Sequence, residues 1–134
     1  MSLAIIQSCD VETSSHGNLY GYWHLESVDT INGGVADRSG ELVFWSVQAQ
    51  LIECVDRNNE YSPIIFHFQK QDDNLLLGQA YYNDRERGDP EVVDVTRVYV
   101  YGLSSLQPNL HIEHLTSSKL TLSDDTVRLH FKKF

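Results

Sequence analysis

Long apolar runs are missing from this 134-residue chain. No stretch approaches the roughly 18 consecutive apolar residues that a membrane-spanning helix needs, so no such helix is expected. Basic residues are scarce: 10 Lys and Arg stand against 19 Asp and Glu, a formal net charge of −9. That balance repels a phosphate backbone and argues against nucleic acid as a partner. Cysteine occurs only at Cys9 and Cys54. Cys54 sits in the apolar strand Leu51-Ile52-Glu53-Cys54-Val55 and reads as a buried free thiol rather than half of a disulfide to Cys9. Catalytic signatures are absent as well. There is no G-x-S-x-G, P-loop or C-x-x-C, so nothing marks an enzyme and no cofactor is implied. His111-Ile112-Glu113-His114 lacks the helical spacing of a zinc protease; on a strand, His111 and Glu113 share a face and His114 points away. Asp72-Asp73-Asn74 and Asp84-Arg85-Glu86 lack the carboxylate spacing of a calcium loop. No metal site is expected.

What is present is a globular composition, 41% hydrophobic and 22% charged, at a length that suits one domain with a real core. Hydrophobic residues alternate with polar ones in short segments, the period of strands with one buried face. Tyr20–Val28 is a strand with Trp23, Leu25 and Ser27 on one face. Asp29–Gly40 contains Asn32-Gly33-Gly34 and Asp37-Arg38-Ser39-Gly40 and reads as a long glycine-rich connection. Leu42–Val55 is strand-like but changes phase, which a bulge or break near Val47–Gln50 reconciles. Pro63–Lys70 and Leu75–Tyr82 follow, the latter with Leu75, Leu77, Gln79 and Tyr81 in one row. Asp89-Pro90-Glu91 and Gly102 are good helix start and stop signals, whereas Val92-Val93-Asp94-Val95 and Val98-Tyr99-Val100-Tyr101 favour strand; a strand with a short helical turn before Gly102 is the preferred reading. Leu110–Leu115, Lys119–Leu122 and Thr126–Lys133 close the chain as a meander.

Two residue sets carry resemblances. Gly21-Tyr22-Trp23, Tyr101-Gly102-Leu103, the strand Leu110–Leu115, Lys119-Leu120-Thr121-Leu122 and Leu129-His130-Phe131-Lys132-Lys133-Phe134 together resemble the lipocalin-like domains of small secreted bacterial lipoproteins. The resemblance covers residues 19–134. It implies an all-β, up-and-down antiparallel barrel of about eight strands, with at most a short helical turn. In lipocalins the motif's tryptophan plugs the closed end, and a basic side chain from the last strand lies across it. Val127, Leu129, Phe131 and Lys133 share a face, so Lys133 is placed to meet Trp23, with Gly21 alongside; Arg128 is on the opposite face. A lysine here replaces the usual arginine. Residues 1–18 read as a tether. Its stretch Ala4-Ile5-Ile6-Gln7-Ser8-Cys9 resembles the end of a bacterial lipoprotein signal, making Cys9 the candidate lipid-attachment residue. A bacterial cell-envelope location, lipid-anchored or secreted, is then expected, with membrane contact only through that anchor.

The resemblance also implies non-enzymatic binding of a small, partly apolar ligand inside the barrel. Candidate inward residues are Trp45, Phe66, Phe68, Leu77, Gln79 and Tyr81, apolar walls with a polar group. The alternative is that these side chains simply fill the core and the chain is a structural or protein-interaction module. The Thr30–Gly40 loop is either a lid over the open end or a passive connection.

Overall fold

Alternation of buried and exposed residues governs the architecture, as strands with one inward face require. The computed structural model describes residues 17–134. Its strands are β1 (Gly21–Thr30), β2 (Val35–Asp37), β3 (Val43–Gln48), β4 (Leu51–Asp56), β5 (Ile64–Gln71), β6 (Asn74–Leu77), β7 (Tyr81–Tyr82), β8 (Asn109–Leu115), β9 (Lys119–Ser123) and β10 (Val127–Lys133). Pairing runs β1–β3–β4–β5–β6–β8–β9–β10, and β10 returns to β1. The result is a closed eight-stranded antiparallel barrel, with β2 added beside β1 and β7 beside β5. Closure gives each barrel strand a neighbour on both sides, although β6 covers β8 only over residues 109–111. At the seam Trp23 faces Lys133 and Leu25 faces Phe131.

Several local readings change. In β1 a register shift between Leu25 and Ser27 opposite β10 turns the strand, so Val28 rather than Ser27 joins the core. The phase change in 42–55 is a hairpin rather than a bulge. Gln48 pairs with Leu51 across the two-residue turn Ala49-Gln50, and Ala49 takes φ 48°, a conformation that glycine or asparagine usually supplies. That turn carries none of the usual marker residues, so the sequence showed only its consequence. The 29–40 connection also folds back: β2 pairs with Ser27–Asp29, through a turn closed by Thr30 N–H donating to the Gly34 carbonyl at 2.8 Å.

The expected strand 75–82 is interrupted. Leu77 ends β6, the Gly78 N–H donates to His67 O at 2.8 Å, and the chain rejoins β5 only at Tyr81 and Tyr82. This break moves the buried parity to Ala80 and leaves Gln79 and Tyr81 half-buried. Residues 92–101 are not a strand. Asp94 accepts the Thr96 N–H, and a 3₁₀ helix, Val95–Tyr101, ends at Gly102 with φ 88°. The Gly102 stop holds, while the start falls at Asp94 rather than at Asp89-Pro90-Glu91; β-propensity loses because the segment has no neighbouring strand to pair with along its length. Among the described residues no helix is long and apolar enough to cross a membrane.

Candidate functional site

Each end of the barrel is closed by a different piece of chain, and each piece is fastened by a tryptophan. Trp23 and Trp45 are opposite one another on β1 and β3, and both are buried. A buried indole N–H needs an acceptor. Trp23 Nε1 donates to Leu19 O at 2.8 Å, which holds the helical turn at residues 17–19 across the near end, with Leu19 itself fully buried. Lys133 Nζ lies 4.5 Å from the Trp23 ring centroid and donates to Tyr20 O at 2.7 Å and Asn18 O at 3.3 Å. Gly21 makes the crossing sterically feasible. Its φ is +133°, and a Cβ there would stand 2.9 Å from Lys133 Nζ.

Trp45 Nε1 donates to Tyr101 O at 3.1 Å, at the end of the 3₁₀ helix, and the Trp45 ring packs on Phe131 at 4.9 Å. Val92, Val98, Tyr101 and Leu103 belong to the same buried cluster as the strands. The segment 79–106 thus folds into the far mouth of the barrel as a plug. The Tyr101 hydroxyl donates to Ser62 O at 2.8 Å, and the Arg38 guanidinium donates to Val100 O from outside. Gly102 lets the plug descend: a Cβ there would meet Leu129 Cδ2 at 2.8 Å.

Burial controls the titratable groups under this plug. Burial pushes the Tyr101 hydroxyl well above its ordinary range, and the nearby Cys54, Asp56 and Glu53 add to the effect. The Cys54 thiol is free and is pushed up first by burial and then by Glu53. On the outer wall the Ser123 hydroxyl and the Arg128 guanidinium hold the Glu113 carboxyl below its usual range, with Arg128 Nε at 2.8 Å.

Outside the plugged mouth, where the β4–β5 turn meets the loop 82–90, lies a cleft of about 400 Å³. Tyr61, Pro63, Tyr82, Asn83, Arg87 and Arg97 are among its walls. Its two sides are tied by a backbone bond, Asn83 N–H to Pro63 O at 3.1 Å, and the loop 82–90 is closed on itself by Tyr82 N–H to Pro90 O at 2.9 Å. The Asp89 carboxylate accepts the Asp84 N–H at 2.8 Å. Tyr61, Arg87 and Arg97 were not singled out from the sequence, and Asp84 entered only in a rejected calcium loop, since nothing in a turn of polar residues reveals that two distant loops meet.

Of the six inward candidates, Trp45, Phe66, Phe68 and Leu77 are 1%, 0%, 5% and 4% exposed and sit within one continuous core cluster. Gln79 lies at the rim, its amide donating to Ala80 O and Val92 O and accepting from Gln107 at 3.3 Å each. Tyr81 bridges Glu91. His111, Glu113 and His114 are exposed on β8; among the described residues no cluster of His, Cys, Asp or Glu is arranged to hold a metal. Cys9 falls outside the described residues. Phe44 lies on the outer wall, yet it is 1% exposed. It is covered on the outer wall by Tyr22 at 4.6 Å, His24 at 4.8 Å and Phe134 at 5.0 Å, a satellite cluster with no pattern in the sequence to announce it.

A closed up-and-down barrel, sealed at one end by a tryptophan from the first strand under a basic chain from the last, is a lipocalin-type architecture. The chain belongs to the lipocalin-like domain family, whose model matches residues 3–134. Among solved structures it is similar to a lipocalin-like protein from Bacteroides uniformis, at 15% identity and TM-score 0.66 over 87% of this chain and 99% of that one. It is also similar to an uncharacterized protein from Bacteroides eggerthii, at 17% identity and TM-score 0.60 over 86% and 98%. A protein from Burkholderia xenovorans aligns at 11% identity and TM-score 0.54 over 85% and 81%. At these identities the likeness is one of fold. No curated protein matches the chain.

Proposed function

We propose that this is a non-enzymatic binding domain that recognises its target with the loops around the plugged mouth, the barrel interior serving as its core. The carrying observation is the plug: Tyr101 occupies the interior, bonded through its carbonyl to Trp45 and through its hydroxyl to Ser62. Trp45, Phe66, Phe68 and Leu77 pack in that same cluster, so an apolar guest would have to displace side chains already in close contact, at a cost of lost dispersion and burial. This favours the filled-core alternative over a ligand held within the walls. A titration with a long-chain fatty acid, read by tryptophan emission, tests it. The expected result is no saturable change, because Trp23 and Trp45 are already enclosed; a saturable quench would restore the interior as the site. Attachment of a lipid at Cys9, placing the domain at the bacterial envelope, is part of the same proposal and is supported by the Ala4–Cys9 pattern. Intact mass of the protein purified from membranes checks it, with unmodified Cys9 counting against it.

A further inference from the structure

The cleft outside the mouth has a composition that selects among ligands. Its walls include two arginines, Arg87 and Arg97, and two carboxylates, Glu60 and Asp84. Their formal charges cancel, in a chain whose net charge is −9. Guanidinium donors and carboxylate acceptors thus stand side by side, and a neutral molecule rich in hydroxyls finds both.

The charged groups are not consumed by one another. Arg87 Nε stands 3.6 Å from Asp84, and Arg97 Nε stands 3.9 Å from Asp94, both beyond a normal hydrogen bond. Their side chains are 81% and 61% exposed. Asn83 is oriented by its amide, which donates to Glu53 at 2.6 Å, leaving its side-chain oxygen as an acceptor. Aromatic surface is present too. Tyr82 packs on the core as one wall, and Tyr61 stands half-exposed at the rim, although core packing gives it no reason to be there. A tyrosine ring offers its face to the C–H side of a pyranose, while amide, guanidinium and carboxylate groups bond vicinal hydroxyls. The volume of about 400 Å³ accommodates a small ring ligand, and the Asn83–Pro63 tie between the two sides, with the closed loop 82–90, makes the cleft pre-formed, which limits the entropy lost on binding.

We infer that this cleft binds a neutral pyranose sugar, stacked on Tyr61 or Tyr82 and hydrogen-bonded by Asn83, Asp84, Arg87 and Arg97. The inference rests on the loop-binding reading above.

The test uses ¹H–¹⁵N NMR of the full chain titrated with the methyl glycosides of glucose, galactose, mannose and N-acetylglucosamine, and with glucuronate. The expected result is saturable shifts for at least one neutral glycoside, centred on residues 61–63 and 82–84, and weakened about tenfold in Tyr61→Ala. Asn83→Ala serves as the second variant, with unchanged thermal unfolding as the control on both. Absence of shifts with every neutral glycoside overturns the inference. So does tighter binding of glucuronate, which would make the arginines an anion site, or binding that both variants leave intact. Running the fatty-acid titration on the same sample separates the two failures: a null glycoside result with a null fatty-acid result removes the sugar and leaves loop recognition standing, whereas a saturable tryptophan quench removes both.

Discussion

Gly21 shows how one residue can fix a contact between the two ends of a chain. Its positive φ and its missing Cβ give the Lys133 side chain a path to Trp23 and to the carbonyls of Asn18 and Tyr20. Gly21→Ala should cost about 1–3 kcal/mol from backbone strain and the collision with Lys133, measured by urea unfolding. Lys133→Ala should cost about 0.5–2 kcal/mol, the range of a cation–π contact. In the double variant the two losses should not add, since the alanine at 21 no longer collides with the ammonium. Tyr101 carries a pH signature. The folded state holds its proton more tightly than the unfolded state does, so its contribution is intact below the ordinary tyrosine value of about 10 and declines as pH rises through it. Cys54, also raised, begins the same decline nearer its ordinary value of about 8.5. Urea midpoints should therefore fall from pH 8 upward, and Tyr101→Phe should flatten that alkaline limb while lowering neutral-pH stability by about 0.5–1.5 kcal/mol for the lost bond to Ser62.

The plug is the element whose behaviour distinguishes this barrel from an open cup. Trp45→Phe keeps an aromatic ring on Phe131 but removes the donor to Tyr101 O, leaving a buried carbonyl without that partner. A loss of about 1–3 kcal/mol is expected, and amide exchange should accelerate over 92–103 while β4 and β5 keep their protection; uniform acceleration would mean that the plug and barrel open as one unit. How much of this was readable beforehand depends on the kind of signal. Most strands were legible because parity is a strictly local pattern, and it chose Lys133 over Arg128 as the basic residue that the lipocalin resemblance sets across Trp23. The hairpin at Ala49 was seen only as a phase change, since alanine in a left-handed turn leaves no compositional trace. The plug was half-legible: Gly102 marked its end, but the start expected at Asp89-Pro90-Glu91 lies at Asp94, and Val92, Val98 and Tyr101 look the same in a strand as in a helix buried on one side. The cleft was illegible, because Tyr61 and Tyr82 meet only after β5 and β7 have paired.

For the molecule as a whole, filling matters more than enclosure. The core runs without interruption from Leu19 at one end through Trp23 and Trp45 to Leu103 in the plug, and Cys54 lies wholly inside it. In a Cys9→Ser variant, Cys54 should therefore react with a thiol-disulfide reagent only at the rate of global unfolding. Labelling that is fast in native buffer would reveal an opening of the barrel wall that the packing does not suggest. The cleft at the mouth sets arginines and carboxylates beside an exposed tyrosine.

The seam between β1 and β10 has a consequence in time. Hairpins such as β3–β4, β4–β5 and β8–β9 join neighbours in sequence and can pair as soon as both strands exist. The seam joins one of the earliest strands to be synthesised to one of the last. Until β10 docks, the β10-facing edge of β1 has no partner, and neither the lysine latch nor the final enclosure of Trp23 can form. Such distant pairing slows folding, and an open strand edge invites association with other chains while it waits. A chain cut short before β10 would thus be not a slightly weakened barrel but an adhesive half-rolled sheet.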